Sequence, residues 1–187
     1  MPRLARLPVL CMLAAAAIAA LAGCANKIET RTLGETEGIY IDVGELKYQV
    51  QLSRILNADD TEDGTYFQGL PAGEAATAEQ AWFAIFLRVQ NTTDRTLAPA
   101  NEFEIVDTQE KSFTPQQLQG NPFAYKPVTL PPKAIIPAAD SIAGEGVIQG
   151  ALLLFKVDIA SLQNRPLEFR IRSVQNPDEV GIVDLDV

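Results

Sequence analysis

Hydrophobic and polar positions alternate with a period of two through most of the chain after residue 38. Leu46, Tyr48, Val50 and Leu52 alternate with Lys47, Gln49, Gln51 and Ser53, the signature of a strand with one dry and one wet face. Phe103 and Ile105 alternate with Glu102 and Glu104, and Leu167, Phe169 and Ile171 with Glu168, Arg170 and Arg172. Two runs, Ala81 to Val89 and Ala151 to Phe155, are apolar on both faces, which suits central strands covered on either side. A last strand is expected over Val180 to Asp186.

Turn-forming residues separate these runs. Asn57 to Gly64 is an acidic loop, and Gln90 to Arg95 is a polar turn. Pro115, Pro122, Pro127, Pro131, Pro132 and Pro137 crowd one stretch, which proline chemistry makes a long surface crossover. Ala72 to Gln80 has the composition for one helical turn. Strands of antiparallel character with one long crossover predict an all-β antiparallel sandwich with Greek-key connections over residues 39–187.

The first 23 residues follow a different pattern. Arg3 and Arg6 precede an apolar run from Leu7 to Leu21, about the length of a signal-peptide core and short for a membrane span. Leu21-Ala22-Gly23-Cys24 follows and resembles the bacterial lipoprotein lipobox. That resemblance implies cleavage between Gly23 and Cys24 and diacylglycerol on the Cys24 thiol, hence an extracytoplasmic protein held to a bacterial membrane, outer or cytoplasmic. Two acyl chains anchor stably where one is marginal. Residues 24–38, polar and without period, read as a flexible tether.

Composition sharpens what remains. The chain has 187 residues, no His, 2 Cys and a net charge of −9. Losing Arg3 and Arg6 with a signal peptide, and no acid, deepens the charge from −9 to −11. Clustered Lys and Arg are what phosphate binding needs, so nucleic acid is not expected as a partner. Absence of His excludes an imidazole base and imidazole-ligated zinc. No nucleophile with a base partner can be nominated, no cofactor is expected, and an enzyme is not expected.

A second resemblance covers roughly residues 39–175. Phe83-Ala84-Ile85-Phe86-Leu87-Arg88-Val89-Gln90-Asn91 runs from a strand into a polar turn and is followed by Phe103-Glu104-Ile105-Val106-Asp107. Ile142 to Gly150, with Gly144 and Gly146, leads into Leu154-Phe155-Lys156-Val157. Together these are similar to bacterial secreted and lipoprotein immunoglobulin-like domains of unassigned function, related in fold to a mycobacterial immunoprotective antigen. The family implies the sandwich and brings no catalytic residues.

Four places carry candidate chemistry. Asp59, Thr61 and Asp63 partly match a calcium loop, but Leu70 stands where the twelfth-position Glu belongs, so a solvated loop is the favoured reading and no metal is expected. Trp82 and Phe86 share the strand face opposite Phe83, Ile85, Leu87 and Val89; left bare they would form a partner patch, and a loop, the proline-rich crossover among them, would otherwise cover them. Arg170 and Arg172 with Glu168 suggest cross-strand ion pairs, with an anion site as the alternative. Asn91-Thr92-Thr93 matches a glycosylation sequon, which a bacterial setting leaves unused. The leading expectation is a non-enzymatic, membrane-anchored surface lipoprotein whose domain binds protein or envelope components. The alternative is a small-solute or calcium-binding lipoprotein with a pocket at the loop end of the sandwich.

Overall fold

The computed structural model describes residues 32–186. Ten strands follow in chain order: β1 (Leu33–Gly34), β2 (Ile41–Val43), β3 (Leu46–Leu56), β4 (Gln80–Gln90), β5 (Glu102–Val106), β6 (Ser112–Phe113), β7 (Ile135–Ile136), β8 (Ala151–Asp158), β9 (Leu167–Arg172) and β10 (Val180–Leu185). One sheet has the order β1-β10-β9-β5-β6. The other runs β2-β3-β4, and both β7 and β8 pair along the far edge of β4. All pairings are antiparallel except β1 with β10. The chain passes between sheets after β1, β4, β6 and β8, so the structure is the all-β sandwich that the alternating pattern predicts.

The inward side chains are those the period of two selects. Phe83, Ile85, Leu87 and Val89 of β4 meet Phe103 and Ile105 of β5 and Leu167, Phe169 and Ile171 of β9 in one buried cluster. Phe103 and Phe169 stack with centroids 5.8 Å apart, and Phe155 meets Phe169 edge-on. Within this core the Tyr48 hydroxyl accepts from the Ala100 amide at 2.7 Å, and Tyr125 donates to the Ala100 carbonyl at 2.8 Å. Burial pushes the Tyr48 hydroxyl up to about 12, so it stays neutral and keeps the bond.

One position expected on the inward face, Leu52, lies on the other side. The register of β3 on β4 shifts between Val50 and Leu52, a bulge at Gln51. The extra residue turns Leu52 to the other face, opposite Phe86, instead of leaving it beside Val50. The second sheet therefore carries a second apolar surface on its outer side, built from Leu56, Trp82, Ala84, Phe86, Leu152 and Leu154 with Leu52 packed against it. Tyr66, Phe67 and Leu70 from one loop and Leu118 and Phe123 from the proline-rich crossover lie over it. The crossover also bonds along the free edge of β8: Leu152 donates to Phe123 at 2.7 Å, and Gln116 and Tyr125 donate to Leu154 and Leu152. That satisfies an edge which would otherwise invite pairing with another chain.

The boundary at 38/39 also moves. Leu33 and Gly34 pair with Ile182 and Val183, and the Ile182 amide donates to Thr32. Glu37 accepts from the Ser53 amide at 2.9 Å and the Asp186 amide at 3.2 Å, and Thr36 donates to Asp186 at 2.5 Å. Residues 33–38 thus belong to the sandwich and not to a tether, because local polarity hid partners some 150 positions away. The helical turn expected over Ala72–Gln80 is absent; a 3-10 turn forms instead at Gly64–Phe67, where Tyr66 and Phe67 gain burial on the outer face.

Candidate functional site

The acidic loop commits one of its candidate calcium ligands to a protein partner. Asp63, one of its three matched ligands, is 5% exposed. Its carboxylate takes both terminal nitrogens of Arg54, one at 3.3 Å and the other closer, and accepts from the Asn57 amide at 2.8 Å. Asp60 accepts from the Glu62 amide in the same turn. Asp59 and Thr61 point to solvent without Asp63. Among the described residues no three Asp, Glu, His or Cys side chains gather as a metal site.

Trp82 and Phe86 are likewise not an open partner patch. They are 6% and 1% exposed. Phe67 meets Trp82 edge-on at 5.7 Å, Tyr66 meets Phe86 at 5.1 Å, and Lys156 lies 5.4 Å over the Trp82 ring while its ammonium reaches Glu74 at 2.5 Å. The cover is stapled by Asn121, fully buried, whose amide nitrogen lies 2.9–3.2 Å from the carbonyls of Thr65, Tyr66 and Gln68. Nothing in the sequence pattern marks Asn121. Its partners are 53–56 positions away, so no local spacing points to it.

Asn91 of the sequon is also fully buried. Its amide nitrogen reaches the carbonyls of Arg95, Leu130 and Pro131, and its oxygen accepts from Thr93. It is a turn staple closed to glycosylation.

The outer face of the first sheet holds a groove of about 370 Å³ floored by Glu102, Glu104, Arg170 and Arg172. Its arginines are already spent. Arg170 binds Glu168 at 2.7 Å and sees Glu110 at 3.8 Å; Arg172 sees Glu102 at 3.4 Å and donates to the Pro177 carbonyl. The ion-pair reading of Arg170 and Arg172 is the one the structure shows, and an anion would have to displace carboxylates.

A different arrangement occurs where β4 changes partners. β8 pairs with β4 from Gln80 as far as Leu87, and β7 takes over at Val89. Arg88 falls between them, on the outer face, with Gln49 of β3 as its neighbour on the other side. The gap is a pocket of about 370 Å³. Ile135, Pro137 and Ala139 form apolar wall, and Glu145 and Gln149 stand at the rim. Gly150 lets the chain pass tightly here, since a Cβ on it would come within 2.8 Å of the Phe86 backbone. A short helix α1 (Ile142–Glu145) closes the turn, with Ser141 accepting from Gly144 at 3.1 Å and donating to Ala138 at 2.6 Å. Among the described arginines and lysines, only Arg88 and Lys126 close on no acceptor; Lys126 is exposed, whereas Arg88 is half-buried. Sequence reading placed Arg88 in a strand and missed it as a site, because its isolation depends on where two distant strands end.

Gly23, Cys24 and the signal segment 1–23 lie outside the described residues. Among those that are described, no helix is long and apolar enough to cross a membrane.

No protein-family model matches the chain, and no curated protein matches it. Solved structures similar to it include the YjhA protein of Bacillus subtilis, at 10% identity and a TM-score of 0.46, covering 81% of this chain and 99% of that one. A candidate lipoprotein of Bacillus subtilis, YcdA, aligns at 9% identity and a TM-score of 0.47; 83% of this chain is covered, and it spans 39% of that longer chain. A β-sandwich protein of Clostridium difficile aligns at 10% identity and a TM-score of 0.45, covering 84% of this chain and 97% of that one.

Proposed function

We propose that this protein is a non-enzymatic envelope lipoprotein: Cys24 carries the lipid, and the sandwich is displayed outside the cytoplasmic membrane, where it binds a protein or an envelope component. The observation that carries the reading is Leu21-Ala22-Gly23-Cys24 after an apolar run, followed nine residues past Cys24 by the first strand at Leu33. With the sandwich beginning there, the link from Cys24 to Thr32 could span at most about 28 Å. The domain then sits near the headgroups, and its net negative charge holds it off an anionic surface over a Debye length of about 8 Å. The resemblance to secreted immunoglobulin-like domains agrees with this placement.

Inhibiting lipoprotein signal peptidase in the expressing bacterium tests the anchor. A precursor of higher mass should accumulate, and Cys24→Ala should abolish labelling by a fatty acid. Unchanged mass and unchanged labelling would sink the proposal. In-cell crosslinking followed by mass spectrometry then reads the partner directly.

A further inference from the structure

We propose that the Arg88 gap binds a small zwitterion, a free α-amino acid with a short apolar side chain, its carboxylate on Arg88 and its ammonium on Glu145. The inference concerns the sandwich alone and stands whether or not Cys24 is acylated. A guanidinium carries five donors and no acceptor, and a carboxylate is the group whose two oxygens match its fork. Arg88 is half-buried and has no protein acceptor, unlike Arg54, Arg95, Arg170 and Arg172, each of which meets a carboxylate.

Glu145 sets the rest of the ligand. It lines the same pocket and closes no ion pair with Arg88, so one residue of each charge borders the cavity at separate positions. A dianion such as phosphate would be repelled by Glu145, and a metal cation would be repelled by Arg88. A molecule with one charge of each sign answers both. Gln149, also on the rim, offers a donor and an acceptor. Ile135, Pro137 and Ala139 leave an apolar surface for a side chain. The volume of about 370 Å³ lies at the small end of ligand pockets, about 300–1,000 Å³, which favours a molecule below drug size. The Ser141 cap and the close packing of Gly144, whose Cβ would stand 2.1 Å from the Ala138 carbonyl, fix the rim before a ligand arrives.

Isothermal titration calorimetry of the full chain in detergent, with L-alanine, L-valine and L-leucine, tests the site. At least one should bind saturably below about 10 mM, with its amide and its N-acetyl form each weaker by about tenfold or more. Arg88→Gln should weaken the amino acid by about tenfold or more at unchanged melting temperature. Glu145→Gln, an exposed rim change that leaves folding intact, should remove the preference for the free amine over the N-acetyl form. No saturable heat from any of the three, an amide that binds as well as the acid, or a Glu145→Gln protein that keeps the amine preference would overturn the proposal.

Discussion

Arg54 on β3 and Asp63 in the following loop form a two-pronged ion pair, and the same carboxylate holds the Asn57 amide. The Asp63 side chain is 6% exposed and that of Arg54 37%, so one partner is desolvated and the other only partly. Pairs broken in a protein interior cost about 3–5 kcal/mol. Arg54 keeps contact with water, which brings the expected loss for Asp63→Asn to about 1–3 kcal/mol. Urea unfolding measures it. Because Asp63 is committed to Arg54, millimolar calcium should leave the melting temperature of the native protein unchanged; a rise of several degrees would mean that the loop releases Asp63 to a metal.

The pair also anchors one end of the loop that covers Trp82. Truncating this indole removes contacts with Phe67, Leu56 and Lys156, and Trp82→Ala should cost about 3–5 kcal/mol in the same urea experiment. A variant as stable as the native chain would show that the cover spends its time open and that Trp82 is available to a partner.

The central strands are legible in the sequence. β4 and β8 are apolar on both faces because one face meets the other sheet and the opposite face meets the loops. The alternation of β9 placed Phe169 inside and Arg170 outside with no further information. Leu52 was not readable, since a bulge is one inserted residue with no compositional mark, and it reverses every later side chain. Leu33 and Gly34 were lost for another reason: a two-residue strand has too few positions to show a period. Site residues fared worst. Asp63 looked like a ligand from its neighbours in sequence and is spent on Arg54, while Arg88 looked ordinary and is isolated by strand ends 48 and 63 positions further on.

Asp107 gives the turn between β5 and β6 an acid-sensitive anchor. Its carboxylate is held down to about 2, first by the Asn164 amide at 2.9 Å, against the opposing effect of burial, with the Lys111 and Gln109 amides and Ser161 adding to it. A carboxyl lowered in the folded state stabilises fully above its unfolded value near 4, and that contribution disappears as pH falls towards about 2. Asn164→Ala should therefore raise the Asp107 value and move the acid-unfolding midpoint to higher pH, read by circular dichroism between pH 5 and pH 1.5 as about the useful range. An unmoved midpoint would assign acid unfolding to other carboxylates.

Asn121 offers the sharpest test of how the two cover loops are joined. Its amide nitrogen faces three carbonyls of the first loop, and its oxygen accepts from the Phe123 amide at 2.8 Å in the second. Asn121→Ala leaves those carbonyls buried without a donor, at about 1–3 kcal/mol. Asn121→Asp goes further at neutral pH, because an ionised carboxylate only accepts and would be pressed against three acceptors. The Asp variant should be the less stable of the two at pH 7 and should recover part of the difference near pH 4, where a protonated carboxyl can donate again. Trp82 is the sole tryptophan in the chain and lies under this cover, so its fluorescence reports the cover directly. In the Asn121 variants its emission should shift to the red at lower urea than the loss of the far-ultraviolet β-sheet signal. Coincident transitions in both variants would mean that the cover and the sandwich unfold as one unit, and that Asn121 stabilises the whole domain and not the cover alone.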